Sequence, residues 1–242
     1  MPAKKTILVF IAFLLCAGSC QADINFREDF SISSYVALTT NYVHRGLSYT
    51  GDAITPQSSL SISHKSGAFL NTWIARDDIS GLFGDEERRD TEFEFNLGYH
   101  WQANSLWSAT FSHAWLEYNR VHQPVNHDYR ELRLNIHYTD QFSFFAAHTD
   151  SVWGTGHDLT SLSFTTRHVA PYETLLEAEV GWLDFASEPR TDFLFSRISL
   201  GKALSQHWVA TLDYSYSHSR ANRVFDSDRT GNQFSLSLSY HF

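Results

Sequence analysis

Apolar and polar residues alternate along much of this chain. Residues 232–242 read NQFSLSLSYHF, in which every second residue from Phe234 to Phe242 is apolar and serine or histidine stands between. Residues 91–101, TEFEFNLGYHW, repeat the pattern. Because successive side chains of a β-strand point to opposite faces, this period of two predicts strands with one apolar and one polar face.

Such segments recur about every 15–20 residues, and no long helical period interrupts them. We therefore predict an all-β protein with about twelve strands. The segments are centred on residues 32–43, 57–65, 67–75, 91–101, 106–118, 129–138, 142–150, 158–167, 174–183, 193–202, 207–217 and 232–242.

Short and long connections alternate between these segments. Short turns are expected at residues 65–67, 102–105, 139–141, 168–173 and 203–206, and longer loops at 44–55, 76–90, 119–128, 151–156, 184–192 and 218–231. This alternation is typical of a transmembrane antiparallel β-barrel of the bacterial outer membrane, with periplasmic turns and external loops. A secreted β-sandwich would explain the alternation of residues, but it would not explain the asymmetry of the loops.

Aromatic residues at both strand ends support a barrel, because they gather where lipid meets water. The sequence places one group at the periplasmic end: Trp101, Trp107, Tyr138, Phe142, Tyr172, Trp208, Tyr240 and Phe242. It places a second group toward the external end: Tyr42, Trp73, Trp115, Tyr118, Tyr129, Trp182, Tyr214 and Tyr216.

The first residues are typical of a secretory signal peptide. Lys4 and Lys5 precede an apolar run that starts at Ile7, and small or polar residues follow it. At roughly 11 residues the run is too short to span a bilayer as a helix. We predict a signal peptide at residues 1–22 and a barrel at 23–242, which removes both cysteines. The alternative is a lipoprotein in which Cys20 is retained and lipidated.

Charge and motifs exclude several classes of function. Removing residues 1–22 takes away two lysines and no acids, so the formal net charge falls from −9 to −11, which disfavours a nucleic-acid partner. The 13 histidines form no HExxH motif, and we predict no metal and no cofactor. Residues 226–231 read DSDRTG like the start of a calcium loop, but Ser237 stands where the bidentate glutamate belongs, so an external loop is expected.

The segments NYVHRGLS (residues 41–48), PQSSLSISHKSGAFLNTWIA and EFEFNLGYHW resemble the opening hairpins of the TorF-type porin family, Gcw-type bacterial outer-membrane proteins. The resemblance covers residues 35–101, and Asn41, Ser58 and Ser59 depart from the family pattern. The family positions are Tyr42, Arg45, Gly46, Ser48, Gly67 and Trp73, with Leu47, Pro56, Gln57, His64, Ser66, Leu97, Gly98 and Tyr99. The resemblance to this family implies an outer-membrane barrel with a porin-like role.

Charged residues at inward positions of the strands are the candidate site, and no catalytic residue is assigned. The set comprises Glu92, Glu94, Glu131, Arg133, Arg167, Glu177, Glu179, Arg197 and Asp213. The paired glutamates at i and i+2 could serve acid–base chemistry or hold a cation, but cross-strand ion pairs with the arginines are the favoured interpretation.

We therefore expect a porin-like channel for passive diffusion of small hydrophilic solutes, with a weak preference for cations because the acids outnumber the arginines. The expected partners are membrane lipid, lipopolysaccharide, and the barrel-assembly machinery through Phe242. The alternatives are a lipid-hydrolysing barrel, for which His218 and Ser219 are the candidates, and a structural or adhesive barrel with charged external loops such as residues 84–90.

Overall fold

The computed structural model describes residues 29–83, 90–119, 127–186 and 191–242, so the predicted signal peptide lies outside the described residues. Twelve antiparallel strands form a closed barrel, which confirms the predicted fold class. The twelve strands of the barrel wall are β1 (Phe30–Thr39), β4 (Thr55–His64), β5 (Ala68–Asp77), β6 (Asp90–Gln102), β7 (Trp107–Asn119), β8 (Tyr129–Tyr138), β9 (Phe142–Thr149), β10 (Leu159–Ala170), β11 (Thr174–Phe185), β12 (Thr191–Ala203), β13 (Trp208–Ser217) and β14 (Asn232–His241). Two further short strands, β2 (Val43–His44) and β3 (Leu47–Ser48), form a separate hairpin.

Helical structure in the described residues is confined to the connections. It consists of the four-residue helix α1 (Ile79–Leu82) and three 3₁₀ turns, Val152–Gly154, Ser219–Arg223 and Ser227–Arg229. In the part of the chain that the structure describes, we find no helix with the length and apolar character needed to cross a membrane.

The barrel closes between its first and last strands. β1 pairs with β14 in a register that sets Tyr35 opposite His241 and Thr39 opposite Ser237. On its other side β1 pairs with β4, because β2 and β3 leave the wall and pair only with each other. Closure gives every wall strand two neighbours, which a bilayer requires because lipid cannot satisfy backbone N–H and C=O groups.

The lengths of the connections distinguish the two ends of the barrel. Turns at 65–67, 103–106, 139–141, 171–173 and 204–207 form the short-turn end, and the remaining connections form the long-loop end. The predicted strand 158–167 extends to Ala170, which shortens the turn after it to 171–173. By the topology of bacterial barrels, the short-turn end is periplasmic.

Side chains alternate between lipid and lumen as the sequence pattern predicts. On β14, Phe234 is 64% exposed and Leu236 is 54% exposed on the outer wall, whereas Gln233 and Ser235 are buried inside. Large exposed apolar side chains cover the outside of the other strands as well. This apolar outer face places the protein in the bacterial outer membrane.

The external aromatic belt contains half of the residues predicted for it. Trp115, Trp182, Tyr214 and Tyr216 belong to the outward-facing series of their strands, but the prediction is wrong for Tyr42, Trp73, Tyr118 and Tyr129. Tyr42 packs on Trp73 inside the barrel, with ring centroids 5.2 Å apart, while Tyr118 and Tyr129 are buried in an interior core.

That interior core fills the long-loop half of the barrel. Its centre is Trp153, which is 2% exposed. The centroid of its ring lies 5.4 Å from that of Phe83, 5.8 Å from that of Phe225 and 6.1 Å from that of Phe185. The members come from the wall and from the loops, including Leu47, Tyr49, Ile79, Leu82, Leu116, Leu183, Phe193, Phe195 and Ala221. The described loops therefore fold into the barrel mouth.

We predict that Leu236→Arg will impair barrel assembly far more than Ser237→Arg. Leu236 faces lipid, where an arginine near the bilayer midplane costs about 2–4 kcal/mol, whereas Ser237 lines a polar cavity in the lumen. Heat-modifiable gel mobility of membrane-extracted protein measures the folded fraction. Equal damage from the two neighbouring substitutions would contradict the inside-outside register.

Candidate functional site

Residues 40–54, which contain β2 and β3 and are here called the inward loop, fold into the lumen. Their base is fixed at the seam between β1 and β14. The Asn41 side chain donates to Gln233 Oε1 at 3.0 Å and accepts from Ser48 Oγ at 2.7 Å. Ser235 Oγ donates to the Asn41 backbone carbonyl at 2.6 Å. These buried bonds hold the loop against the closing strand.

The tip of the inward loop is a two-residue turn formed by Arg45 and Gly46. Both have positive φ, 51° and 76°, as a tight hairpin between β2 and β3 requires. For a non-glycine residue this conformation costs roughly 1–3 kcal/mol, and such outliers concentrate at functional sites. A Cβ on Gly46 would lie 2.7 Å from Phe195 Cβ and 3.1 Å from Ser217 Cβ, so the turn touches the wall formed by β12 and β13.

The side chain of Arg45 reaches a third part of the wall. Its Nη1 and Nη2 donate to Glu131 Oε1 and Oε2 on β8, at 2.7 and 3.0 Å. The Glu131 side chain is fully buried, and the guanidinium carbon lies 5.6 Å from the centre of the Phe145 ring. The fork-to-fork geometry is the strongest form of a charged hydrogen bond, and the ring adds a cation–π contact.

His44, beside Arg45 on the hairpin, adds no charge to the tip. Burial, and then the neighbouring charge of Arg45, lowers the pKa of His44 to about 3, so its imidazole is neutral at physiological pH. The hairpin tip therefore carries a single positive charge, that of Arg45, and the Glu131 carboxylate neutralises it.

Arg45 and Glu131 belong to a first ion-pair cluster that also contains Glu94 and Arg133. Arg133 donates to both carboxylate oxygens of Glu94, at 2.7 and 2.9 Å, and through Nε to Glu131 Oε2 at 2.6 Å. Beside the cluster, Glu92 is 2% exposed and accepts a hydrogen bond from the Tyr118 hydroxyl at 3.1 Å. Two arginines and two carboxylates thus link β6 and β8 to the inward loop.

A second ion-pair cluster lies on β10 to β13. Arg197 donates to Glu179 Oε2 at 3.3 Å and to Asp213 Oδ1 at 3.2 Å, and its Nη2 also contacts Glu177. Arg167 Nε donates to the other oxygen of Glu177 at 2.5 Å. This cluster has three carboxylates for two guanidinium groups, so it carries one surplus negative charge.

A cavity of about 700 Å³ lies between the second cluster and the seam of the barrel. Charged side chains of the second cluster line one side, and Ser235, Ser237 and Ser239 line another. His241 and Arg167 line it toward the short-turn end, and residues 41–46 of the inward loop bound it toward the long-loop end. Most residues that line the cavity are polar or charged. Beyond the inward loop the described side chains form the aromatic core.

A buried ion pair joins the loop after β5 to the loop before β14 and lies against Gly51 of the inward loop. Arg229 in the last loop is 4% exposed, and its Nη2 donates to Asp78 Oδ2 at 2.5 Å. Gly51 and Gly81 leave the space that the Arg229 guanidinium occupies, since a Cβ on either would overlap it. Three long-loop connections are thereby fastened to each other.

A family model described as "Bacterial protein of unknown function (Gcw_chp)" matches residues 26–236. The chain belongs to this family. The match confirms the resemblance found in residues 35–101 and extends it over most of the barrel.

Among solved structures, the chain is similar to the KdgM porin, with a TM-score of 0.56, 11% identity, and coverage of 87% of this chain and 99% of that one. It is also similar to a KdgM porin in complex with disordered oligogalacturonate, with a TM-score of 0.54, 9% identity, and coverage of 87% of this chain and 98% of that one. A third similar structure is the NanC porin, with a TM-score of 0.52, 8% identity, and coverage of 88% of this chain and 99% of that one. At these identities the likeness concerns the fold. No curated protein matches the chain.

Five of the six main motif positions predicted from the resemblance lie in or against the inward loop. Tyr42, Arg45, Gly46 and Ser48 belong to it, and Trp73 packs on Tyr42. Gly67 lies at the short-turn end, where its φ of 101° shapes the turn between β4 and β5. These five predicted motif positions therefore belong to a structure inside the lumen.

All nine charged residues predicted for the lumen point into it, and eight of them form the two ion-pair clusters. The ninth, Glu92, pairs with Tyr118. Sequence reasoning missed Phe145 as a partner of Arg45, and it missed the pair of Asp78 with Arg229. The available signal for the contact of Arg45 with Phe145 was the positive charge of Arg45 in the hairpin that carries the family motif.

The other candidates have structural roles in the described residues. His218 Nδ1 accepts from the Arg220 backbone N–H at 3.2 Å, which caps a 3₁₀ turn. Asp226 caps the next 3₁₀ turn by accepting from Asp228 N at 2.8 Å. Within the described ranges, no group of three or more histidine, cysteine or acidic side chains is placed to hold a metal ion. Residues 84–89, part of the segment cited for adhesion, lie outside the described residues.

We predict that Gly81→Ala will destabilise the long-loop end, because the new methyl group would overlap the Arg229 guanidinium and the Asp78 carboxylate. Overpacking of this kind typically costs about 1–3 kcal/mol. Gly201→Ala is the matched control, since its Cβ would meet its nearest neighbours at 3.7–3.9 Å. Faster proteolysis of the external loops in the first variant alone is expected. Identical protection in both variants would contradict the fastening role of Arg229.

Proposed function

We propose that this barrel is an outer-membrane channel for passive diffusion of small hydrophilic solutes, with a weak preference for cations. The observation that carries the proposal is the polar cavity of about 700 Å³ inside a closed barrel. Twelve strands enclose more space than an eight-stranded barrel, whose interior side chains can fill it, and less than a wide porin. Structures of similar fold, KdgM and NanC, are described as porins.

The charge of the cavity wall supports the cation preference. In the second cluster, three carboxylates face two guanidinium groups, and the surplus is held against a low-dielectric wall where it acts strongly on a passing ion. The preference is weak because most carboxylates are paired with arginine. Net attraction therefore comes from about one charge instead of from a ring of acids.

Conductance of the purified protein in a planar bilayer tests the proposal. Discrete current steps are expected. Turnover of membrane lipid without conductance would favour the lipid-hydrolysing alternative. Absence of both activities, in the wild type and in Arg45→Ala alike, would favour a structural or adhesive barrel.

We predict that two substitutions in the second cluster will shift ion selectivity in opposite directions. Glu179→Gln removes the surplus negative charge and should move the reversal potential in a salt gradient toward that of a non-selective pore. Arg197→Gln enlarges the surplus and should strengthen the cation preference. Both shifts should shrink in concentrated salt, which screens the charges. Lys65→Gln is the control, because Lys65 lies in a short turn with its side chain 68% exposed. Shifts of the same sign would contradict the assignment.

The mature protein is proposed to begin after residue 22, and Phe242 is proposed to contact the barrel-assembly machinery. Phe242 packs on Tyr240, with ring centroids 4.7 Å apart, and its N–H donates to the Ser34 carbonyl at 3.0 Å. Lipid and lipopolysaccharide are the proposed surroundings of the outer wall. Intact mass of protein from membranes should equal that of residues 23–242. A diacylglyceryl adduct on Cys20 would show a lipoprotein instead.

A further inference from the structure

We propose that Glu131 and Phe145 form a binding site for a guanidinium-type cation, that Arg45 of the inward loop occupies this site at rest, and that a solute carrying such a group opens the lumen by displacing Arg45 and thereby releasing the inward loop, whose Leu47 and Tyr49 belong to the aromatic core. This inference rests on the proposed channel function and names a solute class for it. The inward loop is thus a tethered competitor of the solute.

The site has the features of a built cation site. Glu131 offers both carboxylate oxygens to one guanidinium at 2.7 and 3.0 Å, and its side chain is fully buried. Phe145 presents its ring 5.6 Å from the guanidinium carbon. Arg133 donates to Glu131 at 2.6 Å and is itself held by Glu94. These contacts fix the Glu131 carboxylate in place. A planar cation receives here two directed hydrogen bonds and an aromatic face.

The ligand that fills the site comes from a strained turn. Arg45 has a φ of 51°, and the adjoining Gly46 cannot accept a side chain because Phe195 and Ser217 are in contact with it. Asparagine, aspartate or glycine would suit this turn better than arginine. An arginine at the tip is explained if its side chain is the functional part of the hairpin.

A solute can reach the site through the cavity. Arg45 and Phe145 both line it, and the second ion-pair cluster with its surplus negative charge lies on the same route. Any ligand that binds the displaced state in preference to the resting state shifts the population toward it. A cation that replaces Arg45 at Glu131 binds in this way, because the two cannot occupy the same carboxylate oxygens.

The experiment uses methylguanidinium chloride as the probe, with tetramethylammonium chloride as a cation that has no N–H donors. In planar bilayers, millimolar methylguanidinium should raise the open probability of the wild-type channel, and tetramethylammonium should not. Arg45→Ala should be open without the probe. Arg220→Ala is the matched control, because Arg220 lies at the exposed rim and pairs with Asp192.

Binding is measured separately from conductance, by tryptophan fluorescence of the folded protein in detergent. Methylguanidinium should bind Arg45→Ala, and adding Glu131→Gln should weaken that binding by about tenfold or more, because a hydrogen bond to a charged group is worth at least that factor. Equal binding to the single and double variants would overturn the site. Should Arg45→Ala fail to give a heat-modifiable barrel, the wild-type response to the two cations decides the proposal.

Failure of the channel function and failure of the Arg45 site give different results. If no variant conducts, Arg45→Ala included, the channel function is wrong. If all variants conduct with the same open probability and methylguanidinium changes none of them, the channel function stands and the role of Arg45 as an internal ligand is wrong.

Discussion

The hydrogen bonding of the backbone inside a bilayer is the constraint on which the rest of this structure depends. Lipid offers no hydrogen-bond partner to a backbone N–H or C=O group. The sheet must therefore close on itself through the pairing of β14 with β1. Closure then fixes which side chains face lipid and which face the lumen. The polar series, with its glutamates and arginines, faces the lumen, where ion pairs between strands offset part of the cost of removing the charges from water.

The inward loop is the second consequence of that geometry. A twelve-stranded wall leaves more interior than its own side chains fill, and this chain fills the long-loop half with residues 40–54 and an aromatic core around Trp153. The loop crosses from the seam to β8 through Arg45 and to β12 through Gly46. The lumen is therefore divided into a packed half and a polar half.

All twelve wall strands could be predicted from the sequence, because alternation with period two reports directly on the two faces of a strand. The largest error is at β1, which was expected to end at residue 43 but ends at Thr39, where the inward loop begins. The short turns and the inward direction of Glu177 and Arg197 followed from the same pattern. The interior could not be predicted so well. A residue such as Tyr118 has the composition of a membrane-interface aromatic, and only packing against distant loops shows that it belongs to a core. Likewise, the contact of Arg45 with Glu131 joins residues 86 positions apart, and nothing local encodes it.

The position of the inward loop also has a consequence for biogenesis. The loop leaves the translocation channel early, but its docking partners on β8, β12, β13 and β14 follow much later in the chain, with Gln233 coming 192 residues after Asn41. Contacts of such separation form only once the intervening chain has been arranged. The base of the inward loop can therefore be fixed only when β14 is in place, so the strand that closes the wall also completes the docking of the loop.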